Sequence, residues 1–290
     1  MLSAALLLIV LVGFANQRGS TCAVSAADEI VREGRFNRIA GFVLAAAVSA
    51  AVMALAGASP RLTASASLAA ALGGVIVAAG ASLNGRCAMG TVASLSRGRL
   101  DRLGTLAGFL VGVWLADNLL GFAPAPVVMG MPPHSVGLAA LALVVTIGAW
   151  HFSRREDLPA PHWMFLIGLL NASLLLLKPD WTYTGGLTAL ARGQMDAPQR
   201  FALDVMLILV GGLGAAALDR TLHLRLATPR AWLRSLAGGA LMGAGSALVP
   251  GGNDTMLLVG VPLLFPGLLI AYAAFWAAIL PLRWMRMRWT

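Results

Sequence analysis

Apolar runs of about 17–25 residues recur from one end of the chain to the other, and each is long enough to span a bilayer as a helix. Nine can be drawn in the 290 residues, at roughly 2–15, 37–57, 65–83, 103–122, 135–152, 161–178, 201–218, 232–249 and 264–282. Such a chain leaves no room for a soluble domain of any size. Its 59% hydrophobic and 11% charged content agrees, because soluble domains carry about 25% charged residues. The fold class expected is an all-α polytopic membrane protein, one domain over residues 1–290, with nine transmembrane helices and the lipid bilayer as its solvent. A net charge of +9 invites a nucleic-acid reading, but arginine-rich cytoplasmic loops account for it, and no nucleic acid partner is expected.

Nine spans put the two termini on opposite sides. The start, MLSAALLLIVLVGFANQRG, lacks the basic n-region of a secretory signal, so it reads as the first span. With the N-terminus outside, the inner segments hold Arg32, Arg35, Arg38, Arg97, Arg99, Arg102, Arg154, Arg155, Arg220, Arg225, Arg230, Arg234, Arg283, Arg286 and Arg288. The outer ones hold only Arg61, Lys178, Arg192 and Arg200. The positive-inside rule then places the C-terminus in the cytoplasm. Arg18 and Arg86 are left over, each at the deep end of an apolar run.

Four stretches between spans are too long for turns and too small and polar for spans: 16–38, 84–102, 181–200 and 249–262. The first three resemble one another. Gly34-Arg35-Phe36-Asn37-Arg38 echoes Gly98-Arg99-Leu100-Asp101-Arg102, and Cys22-Ala23 echoes Cys87-Ala88. An internal repeat explains this economically, with residues 1–122 as the first copy, 123–160 as a linking span and 161–290 as the second. An odd number of spans precedes the second copy, so the two copies are inverted. Inverted repeats with interrupted helices are an architecture of secondary transporters, which bind substrate near the midplane. Four short buried half-helices are expected, two from each side, because irregular backbone at that depth must be buried or line a wet cavity.

Each half-helix offers an N-cap at its deep end: Ser20 or Thr21, Asn84, Thr184, and Asn253 or Asp254. Free N–H groups and the positive end of the helix dipole there suit an anion. Arg18 and Arg86 either add charge to such a path or tie down helix carbonyls and snorkel to the interface. Cys22 and Cys87 are either small buried hydrophobes or acidified thiols at a helix start, Cys87 directly after an arginine. Gly252 and Asn253, in the turn Gly251-Gly252-Asn253-Asp254, are either a simple cap or part of the pore lining. The histidines have no metal spacing, and neither a metal nor another cofactor is expected.

The stretches SLNGRCAMGT, NQRGSTC and RSLAGGALMGAGSALVPGGNDTMLL, together with nine spans, resemble the YeeE/YedE family of bacterial sulfur-compound permeases over nearly the whole chain. The resemblance implies an hourglass-shaped protein of the bacterial inner membrane that takes up thiosulfate and is not an enzyme. It also implies cysteines along a central path, here Cys22 and Cys87, and a cytoplasmic sulfurtransferase of the TusA type (YeeD) as companion. A further cysteine that the family carries in its second half has no counterpart in this sequence. The expected translocation residues are Arg18, Cys22, Asn84, Arg86, Cys87, Gly252 and Asn253. Asn84, Asn253 and arginine charge would replace water around the anion's oxygens, while the thiols donate weakly to its soft sulfur. A carrier of another sulfur or selenium oxyanion and a membrane thiol oxidoreductase are the alternatives.

Overall fold

The computed structural model describes residues 2–19, 21–57, 67–119, 121, 136–153, 161–179, 181–194, 198–249 and 251–288. These are helical with short connections, and no strand forms among them. The first helices are α1 (Leu2–Gly19), α2 (Ala23–Glu33), α3 (Asn37–Ala56), α4 (Leu68–Asn84), α5 (Ala88–Ser96) and α6 (Leu103–Asn118). There follow α7 (Val136–Ser153), α8 (Pro161–Leu177), α9 (Tyr183–Ala191), α10 (Pro198–Leu218) and α11 (Pro229–Leu248). The chain ends with α12 (Asn253–Thr255), which runs into a π-helical turn at Met256–Gly260, and α13 (Pro266–Arg288).

Five helical stretches among the described residues are long and apolar enough to cross a membrane: Ser3–Glu33, Asn37–Ala56, Leu68–Ser96, Phe201–Leu218 and Pro266–Arg288. The other four predicted spans are helices too, but they fall short of that standard. α6 and α8 have 16 and 17 residues, and the apolar part of α7 covers Leu141–Trp150. α11 has 20 residues but carries Arg230, Arg234 and a run of glycines. Packing is the reason for α11, which lies between α4 and α6 and so meets protein where a lipid-facing helix would need leucines.

Lipid tails offer no hydrophobic drive between helices, so close packing of small residues has to hold them together. A Cβ added to Gly108, Gly112, Gly239 or Gly243 would lie 1.9–2.2 Å from a carbonyl oxygen across the α6–α11 contact. The same holds at Gly13 and Gly211 between α1 and α10, and at Gly74 between α4 and α13. α1 also packs on α8, and α3 on both α7 and α8.

Ionic contacts mark two ends of the molecule. At one end Arg18 pairs with Asp219, and Arg283 pairs with Asp28 at 2.6 Å. There too the loop after α10 joins the loop after α5, His223 N to Arg97 O at 3.1 Å and Arg225 N to Gly98 O at 2.9 Å. Gly98 has φ +89°, and an added Cβ would sit 2.5 Å from the His223 oxygen, so this seam needs a glycine. At the other end Arg192 pairs with Asp117 at 2.7 Å and Lys178 with Asp204. The length of α11, about 30 Å, separates the two. Ser20, Arg61 and the loops 123–134 and 154–157, on which parts of the sequence reading bear, lie outside the described residues.

Candidate functional site

Between α1 and α2 the chain steps out of helical geometry, and Cys22 takes extended angles (φ −81°, ψ 110°) as the residue that opens α2. Between α4 and α5 it does so again: Gly85 turns left-handed at φ +78° and Cys87 opens α5. The real N-caps of the four short helices are thus Cys22, Cys87, Thr182 and Gly252, in place of the predicted Thr21, Asn84, Thr184, Asn253 and Asp254. The turn decides this. Asn84 still belongs to the last turn of α4, and Thr184 and Asn253 are already helical. Of the four caps only Thr182 accepts a bond from its own helix, from Gly185 N at 3.1 Å.

These breaks bring the two cysteines together. Both are free and buried, and their thiols face one another. Ala23 N, the first of α2, donates to Cys87 Sγ at 3.3 Å. Gly90, one turn into α5, leaves the space that Cys22 fills: an added Cβ would lie 2.5 Å from its sulfur. The Arg86 side chain turns toward this pair, its Nη1 donating to Ser25 Oγ on α2 at 2.6 Å.

Tying down helix carbonyls falls to other arginines. Arg102 Nη1 reaches Asn84 O at 2.8 Å, Arg234 Nε reaches Leu83 O at 2.6 Å, and Arg286 reaches Ser82 O. The exposed carbonyls at the deep end of α4 are thereby satisfied from three directions. The Asn84 amide is spent in the same place. It donates to Arg86 O at 2.8 Å and Thr91 Oγ1 at 3.0 Å, and accepts from Arg102 at 2.6 Å and Thr105 at 3.0 Å. Asn84 shapes the turn that presents Arg86 and Cys87, and its amide has nothing left to offer an anion.

A cavity of about 180 Å³ opens from Cys22 and Thr21 past Asn16, Arg86 and Ser94 to Arg97 and Arg38. Gln17 holds Arg97 in its wall, the amide bridging Ala93 O (2.9 Å) and Arg97 Nε (2.6 Å). Gln17, Ser25, Arg38 and Arg97 were missed as site residues because each is a single polar residue on a different element, α1, α2, α3 and the end of α5, and together they give no periodic signal. Arg18 is not in this lining. It bonds to Asp219 and lies over the rings of Phe14 and Trp163 at 4.9 and 5.1 Å, the anchoring role that the sequence left open for it.

In the second half α9 and α12 also meet at their N-termini, through oxygen chemistry. Thr184 N donates to Asp254 Oδ2 at 3.1 Å and its hydroxyl to Asp254 Oδ1, while Thr255 Oγ1 donates to Thr182 Oγ1 at 2.8 Å. Gly252 N donates to Thr184 Oγ1. Asn253 is buried, and its Oδ1 is a buried oxygen with no partner among the described residues. α12 packs against α5, so the two half-sites adjoin.

The arrangement sets the Cys22 thiol and the Arg38, Arg86 and Arg97 guanidinium groups on a polar cavity, with Cys87 fully buried behind Cys22 and outside the lining, which suits a small anion containing sulfur. No curated protein matches the chain. A family model described as sulphur transport matches residues 18–152 and 127–280. With the match running through both cysteine turns and the Gly-Gly-Asn-Asp turn, the chain belongs to the sulphur transport family, that of the YeeE/YedE permeases its motifs resemble.

Proposed function

We propose that the chain takes up thiosulfate, or a related sulfur-containing anion, across the bacterial inner membrane along a path between the half-helices. The observation that carries this reading is the meeting of Cys22 and Cys87 at the starts of α2 and α5, with Arg86 beside them and a polar cavity leading away. Neither start is capped by its own first side chain, and the one N–H bonded across the pair, Ala23 N to Cys87 Sγ, goes to a weak acceptor that an anion's oxygen can displace, so the positive helix ends favour an anion. Arg86 adds a full charge, and on this reading Gly252 and Asn253, which do not line the cavity but sit at the start of α12 packed against α5, face the path from across the centre. The thiols donate weak hydrogen bonds to the soft sulfur and let it go again, since several weak sites favour flux over retention. No bond is made or broken, so the protein works as a permease without enzymatic chemistry or a cofactor. A TusA-type (YeeD) sulfurtransferase would receive the sulfur compound in the cytoplasm.

On this reading nine helices cross the bilayer, and 1–122 and 161–290 are inverted copies about the linking span, in an hourglass-like arrangement. The packing supports it. Exchanging α1–α6 with α8–α13 maps the α1–α10 contact onto α8–α3, α4–α13 onto α11–α6, and α2–α13 onto α9–α6. The α1–α8 and α4–α11 contacts map onto themselves. The arginines grouped at the end that holds Asp28 and Asp219 support a periplasmic N-terminus and a cytoplasmic C-terminus. Facing thiols are also what a membrane thiol oxidoreductase would need, and another sulfur or selenium oxyanion would fit the same donors.

Radiolabelled thiosulfate uptake by cells without their own sulfate and thiosulfate carriers tests all of this. The wild-type chain should raise uptake, and Cys22→Ser or Cys87→Ser should lower it on the order of tenfold at equal membrane abundance, since serine keeps a donor and loses the polarizable sulfur. Uptake no better than the empty vector rejects transport of thiosulfate. Serine variants at the wild-type rate would remove sulfur contact from the mechanism.

A further inference from the structure

Arg86, Ser94 and Arg97 line a second cavity as well as the one that reaches Cys22. This second space, about 220 Å³, is completed by Arg99, Thr221 and Arg225, and no carboxylate among the described residues lines it. Its wall is built from both halves of the chain, because the seam from Arg97 and Gly98 to His223 and Arg225 fixes the two loops against each other. Among the described residues only Arg99 of its four guanidinium groups has a carboxylate partner, Asp101 at 2.9 Å. Asp219, the other acid close by, is taken by Arg18. The Arg225 side chain has no partner among the described residues, and Arg86 and Arg97 repel each other at the boundary between the cavities. Burial, and then that repulsion, hold the Arg97 guanidinium below its ordinary pKa, with Asp219 acting the other way.

We infer that this cavity is a second anion site at the cytoplasmic mouth, one that takes any small divalent oxyanion and does not read sulfur. The chemistry differs from the cysteine site in one respect that decides selectivity. Guanidinium and hydroxyl groups are hard donors that match tetrahedral oxyanions, and no thiol reaches this space. Bound charge here would relieve the repulsion between Arg86 and Arg97, an energy present only where the two cations are held close. The consequence is a division of labour. The cysteines discriminate, whereas the mouth binds thiosulfate, sulfate and phosphate alike, so cytoplasmic sulfate competes with the arriving anion. The site's role in release rests on the transport reading, but its occupancy does not.

Sulfate is the probe, since it has the charge and shape without the soft sulfur. Binding is measured by calorimetry on the full chain in phosphatidylcholine nanodiscs. The wild type should bind sulfate with a Kd of about 1 mM or below. Arg225→Gln should weaken it about tenfold, the scale of one charge-assisted hydrogen bond. Thr221→Val should weaken it less, and Cys22→Ser with Cys87→Ser should leave it within about twofold, as no thiol takes part. The Arg225 backbone keeps its place in the seam, so the glutamine variant retains the fold. Absence of sulfate binding, wild-type binding by Arg225→Gln, or an equal loss in the cysteine variants would each overturn the proposal. Nanodiscs rich in phosphatidylglycerol separate a lipid phosphate from a free anion: unchanged sulfate binding supports the site, and its loss assigns the pocket to a headgroup. A protein that binds sulfate through Arg225 yet carries no thiosulfate would refute the transport reading and leave this one standing.

Discussion

Asn84 spends its whole amide on four partners, two of them on the buried guanidinium side of the turn and two on the side that presents Cys87. A residue used in this way governs stability before it governs transport. Asn84→Ala takes from Arg102, 6% exposed, the amide oxygen that its Nη1 bonds at 2.6 Å, leaving it the longer Asp101 pair at 3.4 Å, and frees the Arg86 carbonyl. A lost bond to a buried charge costs roughly 1.5–3 kcal/mol. We expect a lower thermal midpoint and reduced membrane abundance, with uptake per molecule falling much less. Normal abundance with uptake abolished would restore the direct contact to the anion that the sequence suggests. The polarity of Asn84 was legible in the sequence and its use was not, because Arg102 and Thr105, which claim its oxygen, approach from a different helix and a separate turn. Arg18 gives the same lesson. Its charge at the end of an apolar run was evident, but Asp219, which pairs with it at one end of the molecule, lies far along the chain.

At the level of elements the sequence was more informative. Glycine, serine and asparagine in segments flanked by apolar runs announced the four helix breaks, because such residues cannot pay their way in lipid and must be buried or wet. The short helices α2, α5, α9 and α12 fall inside the four predicted segments. Their caps were misassigned, since the usual preference for Ser, Thr, Asn or Asp does not anticipate cysteine or glycine at an extended position. That Cys22 and Cys87 come together was also beyond reach, because it depends on how α2 and α5 lie together. Gly90 tests that contact. In a helix, glycine to alanine ordinarily stabilises by about 0.5–1 kcal/mol. Here the new methyl would meet Cys22 at 2.5 Å from Sγ and 2.9 Å from Cβ, so one of the two short helices has to shift. Gly90→Ala should therefore cut thiosulfate uptake about as severely as removing a thiol, while Gly148→Ala on α7, whose methyl meets nothing within 4 Å among the described residues, should have no effect. Full uptake by Gly90→Ala would mean that the cysteine pair need not be close for passage.

For the whole molecule the decisive question is which end faces the cytoplasm. Gln194, exposed just after α9, belongs to the end where Arg192 binds Asp117 and the Ala247 carbonyl. Leu226, 90% exposed, belongs to the end where the loop after α10 meets Arg97 and Gly98. α11 runs from one to the other, so a bilayer spanned by it puts them on opposite sides. Charge chooses the side. The Leu226 end gathers Arg32, Arg97, Arg220, Arg225, Arg283, Arg286 and Arg288, against Lys178 and Arg192 at the Gln194 end, and on the proposed orientation that excess makes it the cytoplasmic end. In a chain whose native cysteines are replaced by serine, Gln194→Cys should react with an impermeant maleimide on intact spheroplasts. Leu226→Cys should react only after the membrane is opened. Labelling of both from the same side would end the two-copy architecture, because the seam at Leu226 and the ion pair at Arg192 could then not cap opposite ends of one helix. Labelling with the sides exchanged would keep the architecture and reverse the direction, turning the arginine mouth toward the periplasm as a place of capture.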